Sequence, residues 1–559
     1  MNADGTLSPW TSPAGTALHI AAAAPVIPWS DLTYSLMPSG RTLDYTVTGP
    51  TTDLSPIGVE KQSFVSGLFA EGNASGYYAP AGTNSQADLT TWYTELSAGE
   101  PYDGNAQDEA IATQIAQYHS PYYLLDGAYG FGQESPAPLL IANGFTDDLF
   151  PVDEAVRYYN LEHSLYPSDP ISLLDGDFGH QPANNKPGDL ALLSTAIQNL
   201  FAYYLKGSGS QPPSSATATI ETCPSSATSG GPYTAASWSA LHPGEVDYSS
   251  SQAQTIASTA GNPTISRTID PIAGSGACAT VSAADQGAGV ATYRLPAASG
   301  AGYTLLGSPT VIANLNVTGQ YPIIAARLWD VDPGTGNETL VARNVYRLDP
   351  SAPDGLQVFQ LHPGAWHFAA GHIPKLELLG QDAPYVRTSN GQFTISVSDL
   401  QLRLPVHEAP GSAPGVGTPL PAVQAHPHGC VAQPYSRIAR RHTHGSRHGL
   451  TVSGTAGERR CATASAASRR RQRLARVYVM IYRTAAHGRC RFVTRSGALT
   501  RPRSCRRPVE FVARGTARWS LKLRISLAPG RYVIRSVAVD RLRHRQPRSV
   551  ASLTTVTIR

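Results

Sequence analysis

Two short, nearly continuous apolar runs, Leu139-Leu-Ile-Ala142 and Ile171-Ser-Leu-Leu174, flank a stretch with helical periodicity. The runs read as strands covered on both faces, and between them residues 153–166 turn Val156, Tyr159 and Leu161 or His163 to one side of a helix. Strand, helix, strand is a parallel unit with a right-handed crossover, and in open α/β sheets the chemistry gathers beyond the carboxyl ends of the strands. A further helix is expected after Pro187 and Asp189 and up to Gly207, because Leu190, Leu193, Ile197, Leu200, Phe201 and Tyr204 keep one face apolar. Residues 50–135 form an insertion with helices expected near 86–96 and 108–119 among Gly-, Ser- and Tyr-rich loops. Such a segment suits a lid over a pocket, or an idle surface excursion.

From about residue 208 the pattern changes to short alternating strands, at 310–315, 323–331, 339–348, 357–361 and 393–404, punctuated by Ser, Gly and Pro. This predicts a β-sandwich over 208–405. Within it Asp330-Val-Asp-Pro-Gly-Thr-Gly-Asn-Glu338 is acidic enough to suggest a calcium loop, but it lacks EF-hand spacing and joins two strands, so a plain hairpin is expected. Residues 406–429 are a Pro/Gly/Ala linker. Residues 430–559 alternate at 477–482, 520–525 and 532–539 and read as a small immunoglobulin-like β-sandwich, with Cys490 and Cys505 flanking a hairpin. The fold class expected is therefore multidomain, α/β followed by all-β.

Length agrees, since 559 residues exceed one core and suit about three domains. No run approaches the roughly 20 apolar residues of a membrane helix. The stretch Ile20-Ala-Ala-Ala-Ala-Pro-Val-Ile27 follows Asp4 and has no Lys or Arg before it, so it reads as a buried strand and not as a signal peptide. The six cysteines begin only at Cys223 and fall as Cys223/Cys278, Cys430/Cys461 and Cys490/Cys505, spacings suited to local bridges in an extracellular or cell-envelope setting, the alternative being six free thiols. A net charge of +3 hides a split: residues 406–559 hold 30 Lys and Arg against 4 Asp and Glu, leaving 13 and 36 for residues 1–405. So basic an end suits an anionic cell-envelope polymer, or a solvated β surface rich in arginine; nucleic acid is not the expected partner. His426, His428, His442, His444 and His448 cluster near its start without carboxylates or fixed spacing, so no metal is expected there, and no cofactor anywhere.

The candidate chemistry lies in two loops. Asn143-Gly-Phe-Thr-Asp-Asp-Leu-Phe-Pro151 places Asp147 three residues after a glycine that ends a strand, with Phe150 and Pro151 to wall it from water. Gly176-Asp-Phe-Gly-His180 follows the next strand, so one helix separates a candidate acid from a candidate base. A buried carboxylate fixes the tautomer of such a histidine and stabilises the imidazolium formed when it takes a serine proton. In α/β-hydrolases the order is Ser, Asp, His, with the serine in G-x-S-x-G. That motif is absent from the sequence, and Ser39, Ser66 and Ser75 lack glycines on both sides.

Asp4-Gly-Thr-Leu-Ser-Pro-Trp10 and Ile20–Pro38, with Gly144–Pro151, Gly179-His180, Arg327-Leu-Trp-Asp-Val-Asp-Pro333, Leu340-Val-Ala-Arg343, Leu361-His-Pro363 and Leu402-Arg-Leu-Pro405, carry a resemblance. Over about residues 1–405 the chain resembles the C-terminal part of the X-Pro dipeptidyl-peptidase and cocaine-esterase family. The resemblance implies that residues 1–207 are part of an α/β-hydrolase domain and 208–405 a jelly roll. It makes Asp147 the triad acid and His180 the general base, with Asp148 the wrong neighbour. It implies a peptide or acyl-ester substrate cleaved through an acyl-enzyme, both substrates being compatible with these residues. The family's nucleophile strands would lie upstream of Met1, through an internal start, a frameshift or a gene break; the chain alone is then expected to be inactive, with 20–27 an exposed apolar edge. The contrasting reading is a non-catalytic envelope- or polysaccharide-binding protein that uses the jelly roll and the basic domain.

Overall fold

The computed structural model describes residues 10–47, 54, 56–76, 88–125, 127–130, 135–350, 352–423, 434–439, 441, 443–458, 474–485, 489–505, 508–540, 546 and 552–558. The chain forms two compact units, Met1–His426 and Pro427–Arg559.

In the first unit, strands Leu139–Ile141, Ile171–Asp175 and Ala216–Ile220 run parallel in that order, and Gly230–Ala235 closes the sheet antiparallel. Alternation decides what each face receives. Ile141, Ile171 and Leu173 meet Val152, Ala155, Val156 and Tyr159 of helix Val152–Leu165. Leu140 and Leu174 meet Leu193 and Leu200 of helix Pro187–Lys206, which starts on proline and ends on the left-handed Gly207. Of the two inward candidates, Leu161 is buried and His163 is exposed.

Two expectations are corrected. The sheet does not end at residue 207: Ala216–Ile220 and Gly230–Ala235 belong to it. They lie in the Ser-, Gly- and Pro-rich stretch after residue 207, and only pairing distinguishes them, Ala216–Ile220 to Ile171–Asp175 and Gly230–Ala235 to Ala216–Ile220. The 20–27 stretch is not a buried strand. It runs beside Leu139–Ile141 through parallel bridges at Ala23 and Val26, yet Ile20 and Val26 are 53% and 40% exposed. Among the described residues nothing pairs with its outer side, which leaves it an apolar edge.

The insertion contains Leu89–Ala98 and Ala106–His119, as the pattern predicts, and also Gln62–Ser75. That third helix buries only Phe64 and contains Gly67 and Gly72, so it offers little apolar periodicity to read. Glu100 fastens the insertion to the sandwich through Arg347 at 2.9 Å and Arg387 at 3.3 Å.

The sandwich is two antiparallel sheets of five and seven strands around one apolar core. Strands Ile323–Asp332 and Asn337–Arg347 form the expected hairpin, whose turn engages the Asp332 carboxylate through Gly334 N (2.8 Å) and Thr335 Oγ1 (2.9 Å). A disulfide joins Cys223 to Cys278 across 55 residues. In the chain-entropy view a loop of this length is worth about 4 kcal/mol. Chemical denaturation of Cys223→Ser/Cys278→Ser should show a loss approaching that value, and a loss below about 1 kcal/mol would contradict it.

The second unit is also two antiparallel sheets around a shared core that includes Val452, Val479, Trp519 and Ile534. Cys490 and Cys505 are bridged. Cys430, Cys461, His426, His428 and His442 lie outside the described residues. His444 and His448 are exposed. No helix among the described residues is long and apolar enough to cross a membrane.

Candidate active site

Asp147 and His180 sit beyond the carboxyl ends of adjacent parallel strands, Leu139–Ile141 and Ile171–Asp175. The loops that carry them touch. Gly144 bridges Gly176, and Phe145 N donates to Gly176 O at 2.9 Å. Gly179 has φ +138°, and a Cβ there would stand 2.6 Å from Asp147 Oδ2. Only glycine lets the base loop pass over the acid.

The carboxylate of Asp147 is fully buried and accepts four hydrogen bonds, each 2.9 Å long. Oδ1 takes Leu149 N and Phe150 N; Oδ2 takes His180 N and His180 Nδ1. Such a carboxylate cannot turn, so it holds the imidazole with Nδ1 facing inward. Phe150 packs edge-on against the imidazole, ring centroids 5.1 Å apart, and Trp29 backs Phe150 at 5.0 Å. The His180 side chain is 35% exposed, and its Nε2 has no partner among the described residues. That nitrogen is the open position at which a nucleophile's proton could be taken.

The base loop has its own anchor, which the sequence reading missed. Asp177 is buried and accepts from Thr146 Oγ1 (2.8 Å), Asn184 N (3.1 Å) and Asn184 Nδ2 (2.8 Å), with Lys186 Nζ at 3.5 Å. Asn185 Oδ1 accepts from Gly179 N at 3.0 Å. The density of Asp, Asn and Gly over 176–185 was the available signal, since such residues hydrogen-bond nearby backbone.

Asp148 faces away from His180 and pairs with Arg343 at 3.1 Å. Burial pushes its pKa up, against the pull of Arg343, His362 and Lys61. Lys61, itself buried, donates to Asp148 O (2.6 Å) and Leu149 O (3.0 Å), and burial lowers its pKa to about 8 against four nearby carboxylates. Behind it Asp153 accepts from Tyr34 Oη at 3.2 Å and contacts His362 Nδ1 at 3.0 Å.

Burial alone would raise the Asp153 pKa, but His362, Arg157 and Lys61 outweigh it and hold the group at about 2. A carboxyl held below its unfolded value, about 3.9, adds stability above that pH and loses it as pH falls toward 2; at 1.36 kcal/mol per unit this is about 2 to 3 kcal/mol. The stability advantage of the wild type over Asp153→Asn should therefore shrink by about that amount between about pH 5 and pH 2, measured by urea denaturation. An advantage that does not change with pH would contradict the assignment. No group of three or more His, Cys, Asp or Glu among the described residues is arranged to hold a metal ion.

No family model and no curated protein matches the chain. Among solved structures it is similar to an aminopeptidase from a marine sediment archaeon of the Thaumarchaeota, at 12% identity and TM-score 0.39, covering 66% of this chain and 67% of that one. It is also similar to an alpha-amino acid ester hydrolase at 14% identity and TM-score 0.44, covering 69% and 72%. A CocE/NonD family hydrolase from Staphylococcus aureus matches at 14% identity and TM-score 0.34, covering 57% and 62%. At these values the likeness alone defines neither fold nor activity.

Proposed function

We propose that this chain supplies the acid and the base of a serine hydrolase that cleaves amide or ester bonds through an acyl-enzyme. The observation that carries the reading is the Asp147 carboxylate, immobilised by four hydrogen bonds and holding His180 Nδ1, with Nε2 left open. In this role His180 takes the proton of the attacking hydroxyl and later passes it to the leaving group, while Asp147 stays ionised and stabilises the imidazolium. The nucleophile is not recognisable in this sequence, which has no G-x-S-x-G. It would come from polypeptide outside these residues, and the chain alone would be inactive. The Cys223–Cys278 and Cys490–Cys505 disulfides support an extracytoplasmic setting for the protein.

Fluorophosphonate labelling tests this. The protein in the form its host produces should label at a G-x-S-x-G serine, and His180→Ala in that form should slow labelling by about a thousand-fold or more. Labelling of the present chain alone would place the nucleophile among its own serines. If neither form labels while the His180 Nδ1 proton is seen hydrogen-bonded by NMR, the hydrolase reading fails.

A further inference from the structure

The second unit has an outward sheet face that the hydrolase reading does not use. Strand Gly449–Glu458 has Pro434–Ile438 and His444–Ser446 on one side and Arg518–Leu523 on the other. Residues directly opposite one another share a face. The register places Arg437, Thr455 and Arg518 in one row and His444, Thr451 and Lys522 in a second, with the Ser453–Ser520 pair between them. The alternate positions Leu450, Val452, Trp519 and Leu521 are buried in the core. The two arginine positions lie two strand spacings, roughly 9.6 Å, apart.

Arg437, Arg518 and Lys522 are exposed, and none is paired with a carboxylate among the described residues. Residues 427–559 contain only three acidic residues. Glu458 pairs with Pro434, Asp540 with Leu474, and Glu510 lies outside the strands, so none stands opposite a member of this face. The face therefore offers guanidinium and ammonium donors interleaved with hydroxyls. Guanidinium forks match phosphate oxygens, and the hydroxyls can serve an alcohol-bearing backbone between phosphates. A nucleic-acid platform would need successive aromatic rings for the bases, and among the described residues this face has only Tyr435, beside Arg437.

We propose that this face binds a phosphodiester polymer whose repeating units bear hydroxyls and no bases, a polyol phosphate. The binding is electrostatic in origin and depends on position, being concentrated on the Arg437, Arg518 and Lys522 rows.

The test uses the full chain and a fluorescent poly(glycerol phosphate), with anisotropy read over about 50 to 200 mM salt. Arg437→Gln/Arg518→Gln/Lys522→Gln should weaken binding tenfold or more at the low-salt end, and should flatten the slope of log K against log salt by about 2, three contacts at roughly 0.7 each. The comparison variant, Arg491→Gln/Arg495→Gln/Arg501→Gln, removes the same charge from exposed positions elsewhere in this unit. It should flatten the slope by less than about 1. Equal losses from the two variants would mean diffuse charge only and overturn the proposal, as would absence of binding at low salt. Tighter binding of a single-stranded oligodeoxynucleotide at equal phosphate concentration would also overturn it, in favour of nucleic acid. Unchanged thermal unfolding of both variants shows that the losses are not misfolding.

Discussion

Replacing Arg343 with methionine is expected to destabilise the first unit by about 3 to 5 kcal/mol, the cost of removing one partner from a buried ion pair. The side chain is 1% exposed and serves three partners: Asp148 Oδ2 at 3.1 Å, Asp382 Oδ2 at 3.2 Å and Ile269 O at 2.9 Å. Its guanidinium also lies 3.7 Å from the centre of the Tyr385 ring. Methionine fills part of the volume but leaves Asp148 without its strongest compensating charge, in a place where burial already raises its pKa.

A carboxyl whose folded pKa lies above its unfolded value costs stability as pH rises between the two. The deficit of Arg343→Met should therefore be larger at about pH 8 than at pH 4.5. Arg343→Lys keeps the charge but not the fork and should fall between the two proteins. Arg294, which pairs with Asp285 at a partly exposed site, gives the scale for an ordinary surface pair. Arg294→Met should cost about 0 to 1 kcal/mol. Urea denaturation at the two pH values reads all of these, and an Arg343→Met protein within about 1 kcal/mol of wild type would show that the pair carries little.

Gly144→Ala should be of similar size for a different reason. Its Cβ would stand 1.6 Å from Phe178 O and 2.8 Å from Phe178 C. Both atoms are backbone, so no side chain can move aside, and the acid and base loops must separate. A loss of about 3 kcal/mol or more is expected, at the upper end of overpacking effects. A second readout follows from the geometry: the His180 Nδ1 proton, seen at low field by NMR when bonded to Asp147, should broaden or vanish. Gly188→Ala controls for the substitution itself, since nothing lies within 4 Å of the added methyl in the first turn of helix Pro187–Lys206. It should be neutral or stabilising by up to about 1 kcal/mol. Retention of the low-field proton in a stable Gly144→Ala protein would refute the contact.

The contact between Asp147 and His180 was legible because each follows a short apolar strand and a glycine, and their loops lie one helix apart in the chain. Asp148 was separable from Asp147 by its distance from Gly144, and the structure turns it toward Arg343. Lys61 and Arg343 were not legible as parts of this region. Each reaches the acid loop across 87 and 195 residues of chain, and neither lies in a pattern that marks burial of a charge. Gln62–Ser75 escaped for the opposite reason, having too little apolar face to leave a periodic trace.

Sequence by itself determined strands Leu139–Ile141 and Ile171–Asp175, helices Val152–Leu165 and Pro187–Lys206 and the turn of the sandwich hairpin, and it placed Asp147 and His180 on the loops after adjacent strands, because alternation, caps and turn residues are local properties. Tertiary structure alone decided that Ala216–Ile220 and Gly230–Ala235 extend the sheet and that a buried lysine and a sandwich arginine hold the Asp147 loop. Those outcomes depend on pairing and charge compensation between residues far apart in the chain. Such contacts form only when the fold brings the groups together, so no window of sequence contains them.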